Sequence, residues 1–253
     1  MTPELVEQIL SALFDRAKDA DEFEYACTLL RFQGMEDAGW DPLVETQFLF
    51  DEIGSLLEAP LRDETRVRLG LLLYSHLTEV DAIYMTIANL LAVTRGERYS
   101  LDPFGDLYRP RGIPRYEQLP PSANSVVKRL CDDATAAGFD DVRELLEWFF
   151  NSAVRNAFFH SDYILHAGEF RSREGRFADG HGGWLRSLPV DQIIELIDGA
   201  MIFFQTFMSL FGAHRRSYTV DREIQGRFAA DGSMIPVILS ADAERGLYGF
   251  RSP

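Results

Sequence analysis

The stretch Trp148–Tyr163, WFFNSAVRNAFFHSDY, determines the expected fold because a strongly apolar helical pattern runs through a cluster of polar residues. At about 100° per residue, the apolar positions of this stretch and of the preceding turn cover one broad helix face: Leu146, Phe149, Phe150, Ala153, Val154, Ala157 and Phe158. The opposite face carries polar residues together with two large aromatic ones: Asn151, Ser152, Arg155, Asn156, His160, Trp148 and Phe159. An ordinary solvated face does not carry two large aromatic side chains, so we expect both faces of this helix to have partners.

Composition and charge narrow the class of protein. The chain has 253 residues, of which 46% are hydrophobic, and this is ordinary for a globular protein of one large or two modest domains. A net charge of −15 argues against sequence-independent binding to duplex nucleic acid, which depends on basic surface, but it leaves room for a local basic site. The two cysteines, Cys27 and Cys131, are far apart, so we expect neither a disulfide framework nor a cysteine metal site.

The sequence predicts a cytoplasmic protein without a membrane span. Thr2-Pro3-Glu4 opens a helix rather than a cationic, apolar leader, so no secretory signal is predicted. The most apolar segment, Met201–Ala213, is interrupted by Gln205, and it is too short to cross a bilayer. The motifs of phosphate loops, zinc proteases and serine hydrolases are missing from the sequence. Three histidines lack the spacing of a metal site: His166, His181 and His214. We therefore expect no metal and no cofactor.

Periodicity indicates a mainly α protein. Helical spacing begins at Leu5 and predicts further helices over residues 21–32, 42–57, 63–93, 125–137, 141–161 and 190–214. A hairpin is expected over 162–173, a glycine-containing loop over 177–183, and short strands over 219–227, 234–239 and 246–251, with a turn at Asp231-Gly232. The predicted organisation is an N-terminal helical extension (1–60), a helical bundle (61–216) with a loop insert (95–124), and C-terminal strands packed on the bundle (217–253).

The RNAFFH sequence at Arg155–His160 resembles the Arg-x4–6-His motif of the HEPN superfamily, helical-bundle domains that include many metal-independent ribonucleases. A polar residue, Asn156, follows the arginine, and Ser161–Tyr163 continues as in HEPN-like bacterial proteins reading RNAxxHxDY. The specific resemblance covers about twenty residues, while the helical pattern of Asp63–His214 is compatible with the rest of such a bundle. The N-terminal sixty residues, the loop insert and the C-terminal strands lie outside it. Arg176 to His181 also fits the spacing, in a glycine-bearing loop.

This resemblance implies that two motifs meet across a homodimer and that a ribose 2′-hydroxyl attacks the phosphodiester to leave a cyclic phosphate. The residue types suit this chemistry, because a histidine such as His160 exchanges protons near neutrality and an arginine fork such as Arg155 holds a phosphodiester. Asn156, four residues before His160, shares its side of the helix and is the third catalytic candidate. The alternative is that Arg155 pairs with a carboxylate and that His160 merely ends the helix.

Three further residues are candidates for supporting this site. His76 and Glu79 lie three residues apart on the predicted 63–93 helix, so their side chains can hydrogen-bond. They either orient Arg155 or His160, or satisfy each other inside the core. Tyr163, at the end of the resemblance, is assigned the same supporting role.

The loop insert is the locally basic and aromatic segment of this acidic chain. Its candidate RNA-binding residues are Arg95, Arg98, Arg109 and Arg111. Aromatic residues lie between them: Tyr99, Phe104, Tyr108 and Tyr116. This composition suits stacking and phosphate contacts on single-stranded RNA. A loop that wraps over the bundle and is pinned by its aromatic residues has the same composition.

Two classes of function follow from these observations. The first is a HEPN-like metal-independent endoribonuclease, a toxin or defence component that acts as a homodimer on single-stranded RNA and is controlled by an antitoxin. The alternative is a catalytically inactive HEPN-fold module that binds nucleotides or proteins, and an acidic surface favours protein partners. A partner of a nucleotidyltransferase is a third reading, because HEPN proteins often act beside such enzymes.

Overall fold

The computed structural model describes residues 1–31, 41–173, 176–178, 183–227 and 232–253. This part of the chain is mainly helical, with small antiparallel sheets that lie mostly towards the C-terminus. Its α-helices are α1 (Pro3–Ala20), α2 (Glu22–Leu30), α3 (Pro42–Leu57), α4 (Asp63–Leu77), α5 (Asp81–Thr94), α6 (Ala123–Ala136), α7 (Asp140–Phe149), α8 (Ser152–Phe159) and α9 (Val190–Arg216). The predicted 42–57 and 190–214 helices are confirmed, whereas the predicted end of the 21–32 helix lies outside the described residues.

The long helix α9 is the centre of the core. It packs against α1, α4 and α7, and it buries four phenylalanines: Phe203, Phe204, Phe207 and Phe211. Among the described helices, α9 is long and apolar enough to cross a membrane, and α4 with α5 pass the same test as a bent pair. The sequence prediction considered only Met201–Ala213, whereas an apolar window of 18 residues lies within α9. About 39% of its apolar window is buried within the protein.

The N-terminal helices share this core. Thr2 caps α1 by accepting a hydrogen bond from the Leu5 N–H at 3.4 Å, and the apolar face of α1 packs against α5 and α9. Helix α2 packs against α5, and α3 packs against α4. One continuous hydrophobic cluster therefore crosses the predicted boundary at residue 60.

The prediction of one helix over residues 63–93 is wrong, because the chain breaks between α4 and α5 with a bend of 46°. The Thr78 hydroxyl donates to the Tyr74 carbonyl at 3.0 Å, and the Tyr84 hydroxyl donates to the Thr78 carbonyl at 3.2 Å. The Tyr74 carbonyl also accepts from the Thr78 N–H at 3.0 Å, as in a helix, whereas the Thr78 carbonyl accepts from the Tyr84 hydroxyl in place of the Ala82 N–H that a continuous helix would supply. Glu79 consequently lies in the break rather than on a helix face.

The predicted 141–161 helix is also two helices, α7 and α8, separated at Phe150 and Asn151. Asn151 caps α8, since its side-chain oxygen accepts hydrogen bonds from the N–H groups of Ala153 and Val154, both at 3.1 Å. The apolar positions follow one helical period across this break, which is why the sequence pattern concealed it.

Buried Tyr74 of α4 holds the break open. Its hydroxyl donates to the Phe149 carbonyl at 3.0 Å and accepts from the Asn151 N–H at 2.8 Å. The break also separates the two aromatic residues that were expected on one face. Trp148 is half-buried beside Gly199 of α9, whereas Phe159 is 53% exposed.

The strands form three small antiparallel sheets among the described residues. They are β1 (Tyr163–His166), β2 (Glu169–Ser172), β3 (Phe177–Ala178), β4 (Trp184–Leu185), β5 (Ser187–Pro189), β6 (Arg222–Gly226), β7 (Ile235–Asp242) and β8 (Gly246–Arg251). The predicted hairpin is confirmed as β1–β2, and the predicted C-terminal strands are confirmed as β6–β7–β8. The predicted loop over 177–183 begins instead with β3, which pairs with β4. Asp231 of the predicted turn lies outside the described residues.

Candidate functional site

The C-terminal end of α8 presents His160 to solvent. His160 is the C-terminal cap, and its backbone N–H donates to the Asn156 carbonyl at 3.0 Å. Ser161 then adopts a left-handed conformation with φ of 53°, which lets the Asp162 N–H donate to the Ala157 carbonyl at 2.9 Å. This turn folds Asp162 back towards α8 and leaves the His160 side chain exposed.

Arg155 is held from three directions. Its guanidinium forms an ion pair with the Glu79 carboxylate, and its Nη1 donates to Asn156 Oδ1 at 2.7 Å. It also lies over the Phe159 ring, 4.8 Å from the ring centre. Glu79 lies in the α4–α5 break, far from Arg155 in the sequence, and its carboxylate fixes the orientation of the Arg155 guanidinium.

Burial raises the pKa of the Glu79 carboxyl, and the neighbouring Arg155 guanidinium only partly opposes this rise. A carboxyl with a raised folded-state pKa contributes stability that is fully present below its unfolded pKa. That contribution is lost as the pH rises through the folded pKa. Neutralising Glu79 should therefore alter how stability depends on pH in the mildly acidic range.

We expect the free energy of unfolding of wild type, relative to Glu79→Gln, to fall as the pH rises from about 4 to about 6. Urea titrations of both proteins across this range measure the difference. Glu64→Gln, at an exposed position in the first turn of α4, makes the same change in net charge and serves as the control. If the free energies of unfolding of wild type and Glu79→Gln changed in parallel with pH, the raised pKa of Glu79 would be contradicted.

Two surface cavities adjoin α8. The first, of about 380 Å³, is lined by Ser152, Ala153, Asn156, Ala157, His160, Asp162, Ser172 and Arg176. The second, of about 170 Å³, is lined by Ser122, Ala123, Asn124, Phe150, Ser152, Arg155 and Asn156. Asn156 lines both cavities and therefore lies between Arg155 and His160. The three candidate catalytic residues thus share one continuous piece of surface.

The predicted supporting residues have separate partners. His76 does not pair with the Glu79 side chain; its Nε2 lies 3.1 Å from the Thr46 hydroxyl of α3, and burial lowers its pKa. Tyr163 stacks on Phe170 with 5.2 Å between ring centres, inside the β1–β2 hairpin. Of the three, Glu79 contacts a candidate catalytic side chain directly.

Two of the loop arginines near Asp106 bind backbone of their own loop. Arg109 donates to the carbonyls of Asp106 and Tyr108 at 2.8 and 3.0 Å, and Arg111 donates to the Asp106 carbonyl at 2.9 Å. Phe104 is buried in the core, as expected for a loop pinned over the bundle. These contacts favour the alternative in which the loop wraps the bundle.

The other two loop arginines lie closer to the body of the protein. Arg95 donates to the Glu97 carboxylate at 2.7 Å and to the Asp133 carbonyl at 3.1 Å. The exposed Arg98 has its guanidinium against Gly232. The two pairs of loop arginines therefore occupy different surroundings rather than one basic patch.

The hairpin beside α8 supplies basic residues that the sequence analysis did not select. Arg171 and Arg173 line a cavity of about 430 Å³ together with Ser161, Asp162, Tyr163, Ile164 and Ser172. The sequence did contain a signal for these residues: side chains alternate along a strand, so Arg171 and Arg173 of the predicted 162–173 hairpin lie on the same face. Arg176, from the second Arg–His match, lines the cavity of His160, whereas His181 lies outside the described residues.

The described residues contain no group of three or more His, Cys, Asp or Glu side chains arranged to hold a metal ion. The candidate site is therefore described by its arginine, asparagine, histidine and glutamate, with two adjoining cavities. The chain matches no protein-family profile, no curated protein and no solved structure.

Proposed function

We propose that this protein is a HEPN-like, metal-independent endoribonuclease in which Arg155 and His160 act on a phosphodiester. One observation carries the proposal: the two residues line neighbouring cavities on either side of Asn156, with the guanidinium held in place and the imidazole exposed. A phosphodiester lying across Asn156 would reach both. Preorganisation of this kind is what acid–base and electrostatic catalysis require.

His160 is suited to move the proton. An exposed imidazole can accept a proton from a ribose 2′-hydroxyl or donate one to the leaving oxygen. Arg155 would offset the charge that grows on the phosphate oxygens during attack.

The proposed enzyme is a two-fold dimer formed through α8. Phe159, 53% exposed and in contact with the Arg155 guanidinium, is the apolar residue that supports this assembly. Trp148, which first suggested it, packs beside α9 and does not contribute. Dimerisation would bring the Arg155 and His160 side chains of both protomers towards one cleft. A role as a toxin or defence component, with an antitoxin or a nucleotidyltransferase as partner, belongs to the same proposal.

We expect purified wild-type protein to cleave single-stranded RNA in the presence of EDTA and to leave a 2′,3′-cyclic phosphate. DNA of the same sequence should stay intact, because it lacks the attacking 2′-hydroxyl. End-labelled substrates and end-group analysis of the products measure both outcomes, and light scattering on the same sample measures the dimer. Loss of all cleavage in EDTA, or a different end group, would contradict this mechanism.

A second function is favoured by the ion pair between Arg155 and Glu79. The Arg155 guanidinium already has a carboxylate partner without substrate, while its buried Nε has no hydrogen-bond partner among the described residues. The site would then hold α8 in place within an inactive HEPN-fold module that binds nucleotides or proteins. Absence of cleavage by wild type, together with loss of stability in Arg155→Ala, would select this function.

A further inference from the structure

Two neighbouring cavities lie beside His160 and along the β1–β2 hairpin. The cavity of about 380 Å³ that contains His160 and the cavity of about 430 Å³ on the hairpin share two lining residues, Asp162 and Ser172. The Ser172 hydroxyl donates to the Asp162 carboxylate at 2.8 Å, so this shared wall is fixed. We call these two cavities the hairpin groove. Each has the size of a ligand pocket, which is typically about 300–1,000 Å³.

Three arginines line the hairpin groove in a chain whose net charge is −15: Arg171, Arg173 and Arg176. All three are exposed. Arg171 pairs with the Glu169 carboxylate at 2.7 Å, and Arg173 lies 3.7 Å from the carboxylate of Asp162. The Arg171–Glu169 pair is open to solvent, and such pairs contribute only about 0–1 kcal/mol, so a phosphate can replace its carboxylate at low cost, whereas the Asp162 side chain is only 19% exposed.

We infer that the hairpin groove binds the phosphodiester backbone of single-stranded RNA, with Arg173 and Arg176 as phosphate-binding residues. The inference rests on the proposed function for the identity of the ligand, and it names the path by which RNA reaches His160. A flexible single strand can place successive nucleotides in the two cavities, and the exposed Ile164 offers an apolar surface to a base. Arg176 lies in the same cavity as His160, and Arg173 lies one nucleotide-sized cavity further along.

The hairpin arginines are better placed for this task than the loop arginines. Arg109 and Arg111 donate to backbone carbonyls of their own loop, so these donors are already used in holding the loop's shape. Arg173 instead lies 3.7 Å from the carboxylate of Asp162, which belongs to the groove itself. At Arg109, incoming phosphate would compete with the fold of the loop.

The test measures binding without cleavage. His160→Ala protein and a fluorescein-labelled single-stranded RNA of about 12 nucleotides are titrated by anisotropy at salt concentrations from about 50 to 200 mM. Adding Arg173→Gln and Arg176→Gln should weaken binding about tenfold or more and reduce the slope of log K against log salt by about 1.4, or about 0.7 for each lost phosphate contact. Adding Arg109→Gln and Arg111→Gln instead removes the same charge and should change the affinity less than about twofold.

Three results of the binding experiment would overturn the inference: no RNA binding by the His160→Ala protein, equal losses of affinity in the two double-arginine variants, or a loss of affinity confined to the loop variant. Circular dichroism and thermal melting confirm that each variant is folded, and all four arginines are exposed. Failure of the proposed function gives a different pattern, in which wild type does not cleave RNA although binding still depends on Arg173 and Arg176. In a protein that keeps His160, normal cleavage after Arg173→Gln and Arg176→Gln would show that RNA does not follow the groove and would leave the proposed ribonuclease activity intact.

Discussion

We expect replacement of His160 by alanine to lower the rate of RNA cleavage by about 100- to 10,000-fold while the melting temperature stays close to that of wild type. In the proposed mechanism the imidazole supplies the proton transfer, and losses of this size are typical of general acid–base catalysis. Stability is preserved because the side chain is exposed and the cap of α8 is made by the His160 backbone N–H. Arg155→Ala is expected to lower the rate by about 100- to 1,000-fold, since it removes the charge that stabilises the transition state.

Single-turnover cleavage of a labelled RNA measures these rates, and His166→Ala is the matched control. His166 is an exposed histidine on β1, outside both cavities of the hairpin groove, so its replacement should leave the rate unchanged. Arg155→Ala also leaves Glu79 without its cation, so its rate must be compared with that of Arg155→Lys at equal folded fraction. A His160→Ala protein that cleaves as fast as wild type would eliminate the mechanism.

Tyr74→Phe is expected to lower the free energy of unfolding by about 1–3 kcal/mol. The hydroxyl is buried and bonds to both the Phe149 carbonyl and the Asn151 N–H, so its removal leaves two buried backbone groups unsatisfied. Cleavage should weaken as well, because these bonds hold the break at which α8 begins. Urea denaturation measures the free energy of unfolding, provided that the m-value is unchanged, and the cleavage assay measures the activity.

Tyr25→Phe provides the control for this prediction. Tyr25 is as fully buried as Tyr74, but its hydroxyl has no hydrogen-bond partner among the described residues. Removing that hydroxyl breaks no hydrogen bond among the described residues and relieves the desolvation of a buried polar group, so the free energy of unfolding should stay the same or rise by up to about 1–3 kcal/mol, with cleavage unchanged. Equal losses in the two variants would mean that tyrosine burial, rather than the bonds at the break, determines the effect.

The sequence predicted the elements that are governed by local periodicity. Helices α3 and α9, the β1–β2 hairpin and strand β8 follow from spacing and turn residues. The two helix breaks could not be predicted in this way, because the apolar pattern continues through Thr78 and Asn151. The bonds that make the second break join Tyr74 to residues more than seventy positions away. Strands such as β3 and β4 have two residues each and are too short to show a period.

The candidate site divides in the same way. Arg155, Asn156 and His160 are neighbours in sequence, so one motif was enough to select them together. Glu79 was selected as a residue that either orients Arg155 or His160 or pairs with His76, and the choice between these depends on how α4 and α8 pack, which the sequence does not show. The hairpin arginines lie near His160 only because the end of β2 is placed beside the end of α8, and local periodicity does not predict this tertiary contact.

Because α8 is short, the candidate site depends on the rest of the protein for its stability. An isolated helix of eight residues is unstable in water, because helix nucleation costs more than so few hydrogen bonds return. Helix α8 keeps its shape through Tyr74 of α4 at its start and through Glu79 of the α4–α5 break on its side. The site is therefore a property of the tertiary structure, and loss of these contacts would dissolve the motif helix.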